Sequence, residues 1–200
     1  MALPKPRIAI ILGSTREHRF AAKPAKWMLE QVRAHGAFDV ELLDLKDYDL
    51  PLFDEAASNL YAPSQSPAAV KWQQKLAAFD GYIFVVAEYN HSVTGALKNA
   101  LDQAYTEWAR KPAAAIGYGG VGAARAIEHL RAIAVELQMV PLRNAVHIAA
   151  GSFMKVHPMG ENGEMAEIEP FIKPASDAML DELLWWANAT MAARQMDKAA

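Results

Sequence analysis

The stretch Val85-Val86-Ala87-Glu88-Tyr89-Asn90-His91-Ser92-Val93-Thr94-Gly95-Ala96-Leu97-Lys98-Asn99 breaks an apolar run with polar residues and then restarts with helical spacing. The run before it, Tyr82 to Val86, is apolar without alternation, as in a strand covered by helices on both faces. Glu88, Tyr89, Asn90 and His91 then fall just beyond the carboxyl end of that strand, the edge where open α/β sheets bind ligands. Thr94 supplies a hydroxyl cap for the helix that follows, and Leu97, Leu101 and Ala104 give it an apolar face.

Working outward, the same unit recurs. Arg7 to Leu12 reads as a strand and Ala21 to Val32 as a helix, with Gly13-Ser14-Thr15-Arg16-Glu17-His18-Arg19-Phe20 between them. A glycine, two hydroxyls and two arginines ahead of a helix are what a phosphate needs: backbone N–H groups, hydroxyl donors and a guanidinium fork. Only Gly13 is present of the three glycines of a dinucleotide fingerprint, and no Gly-Lys-Ser/Thr follows, so a single terminal phosphate suits the loop better than a pyrophosphate. Val40 to Leu45 is a second strand, and Lys46 to Gln65 is a long polar connection bearing Tyr48, Leu52, Phe53 and Tyr61. Ser66-Pro67 opens a helix that runs to about Phe79.

Ala113 to Gly117 reads as a strand of small residues, followed by the glycine-rich turn Tyr118-Gly119-Gly120-Val121-Gly122 and a helix from Ala123 to Leu137. Val140-Pro141 reads as a chain break, Val146 to Ala149 as the fifth strand, Gly151 to Glu167 as an excursion, and Ser176 to Met191 as the last helix. Five strands alternating with five helices, joined by right-handed crossovers, predict a three-layer α/β sandwich on a five-stranded parallel sheet of flavodoxin-like order 2-1-3-4-5. One domain over 1–200 is expected, with its core at about 7–150 and the excursion and final helix at 151–193.

The chain is 52% hydrophobic, carries a formal net charge of −3 and has no cysteine. It can bury a sizeable core, has no basic field for nucleic acid or an anionic membrane, and has no thiol chemistry. No segment approaches the roughly 20 apolar residues of a membrane span, and a reducing cytoplasm is the expected location. A nucleophile elbow is absent. Gly13 and Ala87 occupy the regions where a phosphoacceptor site would place acids, and the six histidines lack paired zinc-ligand spacing.

The order 2-1-3-4-5 sets the loops after strands one, three and four beside one topological switch point. The first then offers phosphate donors, the second flat polar groups, and the third bare amides. That combination suits a phosphorylated planar heterocycle such as FMN. A flavodoxin-like electron carrier without nicotinamide activity, and an α/β interaction protein with empty loops, remain alternatives.

Gly13-Ser14-Thr15-Arg16, Glu88-Tyr89-Asn90-His91-Ser92 with Gly95 and Leu97-Lys98-Asn99-Ala100-Leu101-Asp102, and Tyr118-Gly119-Gly120-Val121-Gly122 with Ala124-Arg125 resemble the NADPH-dependent FMN reductase family from about Ile8 to Ile148. The resemblance implies that Gly13, Ser14, Thr15, Arg16, Arg19 and Phe20 surround the FMN phosphate and ribityl chain. It also implies that Glu88, Tyr89, Asn90 and His91 line the isoalloxazine, and that Gly117, Tyr118, Gly119 and Gly120 meet its pyrimidine edge. It further implies FMN and NADPH or NADH as cofactors, a small-molecule electron acceptor, a homodimer or homotetramer, and no side chain acting as acid or base. Ala87 and Thr94 stand where the family usually has prolines.

Overall fold

The computed structural model describes residues 4–199; residues 1–3 and 200, which fall within the expected domain 1–200, lie outside the described residues. Strands β1 (Arg7–Leu12), β2 (Asp39–Asp44), β3 (Gly81–Ala87), β4 (Pro112–Tyr118) and β5 (Val140–Pro141) form one parallel sheet in the order β2-β1-β3-β4-β5, and β6 (Val146–Ile148) also pairs with β4. The fold is the flavodoxin-like α/β sandwich expected from the alternation of elements.

Side chains of a strand alternate between faces, and here they divide the core in two. Ile8, Ile10, Leu12, Ile83 and Val85 pack with Met28 and Val32 of α1 (Ala22–His35) and with Met179 and Leu183 of α6 (Glu169–Ala199). Ala9, Ile11, Phe84 and Val86 face the other way, onto α2 (Pro67–Ala77), α3 (Gly95–Asp102) and α4 (Ala124–Glu136). Burial on both sides explains why β1 and β3 read as unbroken apolar runs. Trp108 belongs to this second layer: it is fully buried against Trp72, Tyr82 and Phe84 and donates its indole N–H to the Leu101 carbonyl.

Helix starts follow the sequence cues. The Ser66 hydroxyl accepts from Ala69 N–H with Pro67 at the first position, and Thr94 accepts from Leu97 N–H.

Two features depart from the expected pattern. Val140-Pro141 does not break the sheet but begins its fifth strand, a place where proline is tolerated because it lies at the edge. The chain then leaves the ladder and returns as β6. Arg131 donates to the carbonyls of Leu142 and Arg143, and the Glu182 carboxylate accepts from the amides of Arg143 and Asn144, so the detour is hydrogen-bonded. The final helix starts at Glu169, seven residues before Ser176, with Pro170 in its first turn and Pro174 inside it, and α5 (Ala150–Val156) occupies the start of the excursion. Trp186 packs on the core, whereas its neighbour Trp185 is 63% exposed.

Candidate functional site

Three loops meet at the carboxyl edge of the sheet. The β1–α1 loop begins at Gly13, whose amide donates to the Val85 carbonyl at 3.2 Å; a Cβ there would lie 2.7 Å from that oxygen, so only glycine lets the loop leave the sheet so close to β3. The Gly13 carbonyl accepts from the Thr94 hydroxyl, which also caps α3. One buried side chain therefore fixes the first loop to the β3–α3 loop. Among the described residues, the amides of Ser14, Thr15 and Arg16 have no protein acceptor.

The two arginines of this loop do different things. Arg16 is exposed and donates from Nη1 to the Tyr89 hydroxyl at 3.1 Å, spanning the mouth from the first loop to the second. Arg19 turns inward, forks onto the Asp44 carboxylate at the end of β2, and donates to the Ser14 carbonyl at 2.8 Å. Its guanidinium therefore braces the loop. Thr15 is exposed toward a second depression lined also by Leu50, Leu52, Gly95 and Asn99.

In the β3–α3 loop, Tyr89 and Ser92 exchange backbone hydrogen bonds of 2.9 and 3.0 Å across a tight turn, with Asn90 (φ 51°) and His91 (φ 67°) both left-handed. Consecutive positive φ values are those of a type I′ turn, which suits asparagine and strains histidine. The turn leaves Tyr89 38% exposed, and Asn90 and His91 exposed, at the rim. Glu88 instead points at α4 and pairs with Arg125.

In the β4–α4 loop, Gly117 is a strand residue whose added Cβ would lie 2.5 Å from the Gly122 carbonyl and 2.8 Å from the Ala123 Cβ. It is small so that the turn can fold back on the strand, and it does not open to the crevice. Gly119 (φ 138°) spends its amide on the Ile148 carbonyl at 3.2 Å. Gly120 and Val121 have amides without acceptors among the described residues, and open space surrounds Gly119 and Gly120 where side chains would be.

Tyr118 and Phe20 form an edge-to-face pair at 5.1 Å, both 8% exposed. Phe153 and His157 complete that wall, with Phe20 at 5.6 and 5.1 Å respectively. The Lys23 ammonium holds the excursion in place by donating to the carbonyls of Val156 and Gly163. Phe153, His157 and Asp44 were not readable as parts of the site, because each arrives through a tertiary contact that no local spacing announces; Arg125 stood in the glycine-loop motif, but its pairing with Glu88 did not show there.

Burial, and then the nearby Tyr89 phenol, push the Tyr118 hydroxyl far above the usual tyrosine range, so it stays neutral. Burial, with Arg16 and Lys23 alongside, lowers the His157 pKa. Burial works against ionisation of Glu88, but hydrogen bonds from the Arg125 side chain and from the Ala126 and Arg125 amides outweigh it and hold the carboxyl below its usual value. Among the described residues no cluster of three or more His, Asp or Glu could hold a metal, and no helix is long and apolar enough to cross a membrane.

The crevice thus offers acceptor-free amides and a guanidinium at one end, a tyrosine ring in the middle, and two bare amides at the other. A family model described as NADPH-dependent FMN reductase matches residues 6–152. An NAD(P)H-dependent FMN reductase of Nectria sp is 30% identical over 190 residues, covering 88% of this chain and 94% of the relative. A 2-hydroxy-1,4-benzoquinone reductase of Burkholderia sp is 33% identical over 141 residues, covering 67% and 73%. In structure, the chain shares its fold with a flavoenzyme NAD(P)H:(acceptor) oxidoreductase of Paracoccus denitrificans, at a TM-score of 0.68 and 22% identity over 92% of this chain and 98% of that one.

Proposed function

We propose that this chain, which belongs to the NADPH-dependent FMN reductase family, passes hydride from NAD(P)H by way of FMN to a small acceptor of the flavin or quinone class. It is an oxidoreductase whose cofactors are FMN and NAD(P)H. The crevice fits FMN by its donor set: amides without acceptors in residues 14–16, the Arg16 guanidinium beside Tyr89, and unobstructed amides at Gly120 and Val121. That convergence of unspent donors on one rim is the observation that carries the reading.

In this reading Ser14, Thr15 and Arg16 take the phosphate, with backbone N–H groups and one charge-assisted fork. Arg19 and Phe20 support them from behind, Arg19 through Asp44 and Phe20 through the Tyr118 wall. Tyr89, Asn90 and His91 would border the ring, and the Gly120 and Val121 amides, unspent and unobstructed, would be free to stabilise negative charge on it. When bound, FMN supplies the two-electron chemistry itself. The protein contributes placement and fixed dipoles, and no side chain is assigned as an acid or base. The first loop carries no dinucleotide fingerprint that would give the nicotinamide a separate site. Leu52 and Tyr61, each 82% exposed, and Trp185 support assembly as a homodimer or homotetramer, which light scattering decides.

Steady-state oxidation of NADPH with a benzoquinone acceptor tests the activity. The expected result, under anaerobic conditions with one FMN loaded per chain, is turnover that requires the flavin and stops without the quinone. A chain that binds FMN yet oxidises neither NADPH nor NADH is a carrier, and the proposal fails.

A further inference from the structure

Glu88 lies in the polar stretch that borders the crevice, yet its carboxylate faces the first turn of α4. It accepts from Arg125 Nε at 2.6 Å and from the backbone amides of Arg125 at 3.2 Å and Ala126 at 3.4 Å, and it pairs with Arg125 Nη2. The Glu88 side chain is 8% exposed, whereas that of Arg125 is half exposed, so the carboxylate is shielded and its cation reaches solvent.

Helix α4 has no acceptor of its own for those amides. Its N-cap is Ala123, left-handed at φ 57° and without a capping side chain, where most helices place a serine, threonine, aspartate or asparagine. The cap comes instead from the end of β3, across the crevice edge. Arg125 is held by the same carboxylate and donates from Nη1 toward His91 Nε2 at 2.8 Å. A guanidinium only donates, so His91 Nε2 is the acceptor there. One carboxylate therefore joins the β3–α3 turn, the glycine loop and a helix start, and cancels a cation beside the loop.

We infer that Glu88 is a positioning residue: it fixes the glycine loop and neutralises Arg125, so that amides and not an uncompensated guanidinium face the flavin's far edge, and it does not itself touch the ring. The inference rests on the FMN reading above. Its physical content is a charge balance. With the carboxylate gone, Arg125 is an unpaired cation near a group that gains negative charge on reduction. With the arginine gone, the enclosed carboxylate is an unpaired anion at the same place.

The midpoint potential of the bound flavin measures this in the wild type, Glu88→Gln, Arg125→Met and the double variant. Glu88→Gln keeps an amide acceptor and is expected to raise the potential. Arg125→Met is expected to lower it, and the double variant to return close to the wild-type value. A role in scaffolding alone predicts no opposite signs and no return, and either result overturns the inference. Hydrogen exchange on the flavin-free chain provides a second arm. Glu88→Ala should speed exchange at the Arg125 and Ala126 amides by roughly tenfold or more, whereas Glu88→Gln should stay near wild type. Unchanged exchange in Glu88→Ala overturns the capping role. A wild-type chain that takes up no flavin refutes the functional reading instead, and the exchange arm still decides the cap.

Discussion

The β1–α1 loop and the β4–α4 loop border one crevice and are built in opposite ways. The first is rich in side chains, is braced by Arg19 on Asp44 and Ser14, and is tied down at Gly13 by Thr94. The second carries few side chains: it closes on itself through the Gly122 amide on the Gly119 carbonyl and is held from outside through Ile148 on Gly119 and Glu88 on the start of α4. The first can therefore lose a reaching side chain without collapsing, whereas the second depends on glycines whose small size is spent on packing or on access.

The largest expected effect breaks the first loop's reach without touching its frame. Arg16→Ala should weaken FMN binding by roughly tenfold or more, as expected for loss of a charge-assisted hydrogen bond, and leave the melting temperature of the flavin-free chain unchanged. Arg19→Ala should do the reverse, lowering the melting temperature through loss of the partly buried Asp44 pair. Calorimetric titration and thermal melts on both variants separate reach from brace; equal behaviour would erase the distinction.

The second loop is split next. Gly117→Ala pushes a Cβ against the Gly122 carbonyl and the Ile127 side chain and should cost about 1–3 kcal/mol of stability by denaturant unfolding. Gly120→Ala meets nothing within 4 Å, so it should unfold like the wild type while weakening FMN. Thr94→Ala should cost about 1–2 kcal/mol, because the helix loses its cap and the Gly13 carbonyl its donor.

Much of this was legible beforehand, for physical reasons. Alternating strand and helix periods give the sheet, and strand ends place Gly13, Tyr89 and Gly119 at one edge whatever the details of packing. Caps such as Ser66 and Thr94 are local and so could be read locally. Three things were not local. Pro141 reads as a stop because a proline cannot serve an interior strand, yet at an edge it costs little. Arg16 and Arg19 look equivalent in a loop of donors, and only Asp44, 25 residues away from Arg19, separates them. Glu88 reads as a rim residue because its neighbours are, while its acceptor role is set by amides 37 and 38 residues further on.

The smallest effect concerns the wall that the C-terminal excursion lends to the first loop. His157 has a lowered pKa in the folded chain, so as pH falls through the ordinary value of 6.5 the unfolded chain takes up the proton first and stability declines. The loss continues down to the folded-state pKa and then levels. His157→Gln should flatten stability against pH below the ordinary histidine value of 6.5, by chemical denaturation; an unchanged slope would show that His157 does not contribute.

The central claim is that the donors left unspent by residues 14–16 and 120–121 exist to hold FMN. Isothermal titration of FMN into the flavin-free chain tests it most directly. Saturable binding of one FMN per chain, weakened in Arg16→Ala, is the expected result. No heat and no saturation with the wild-type chain would contradict it.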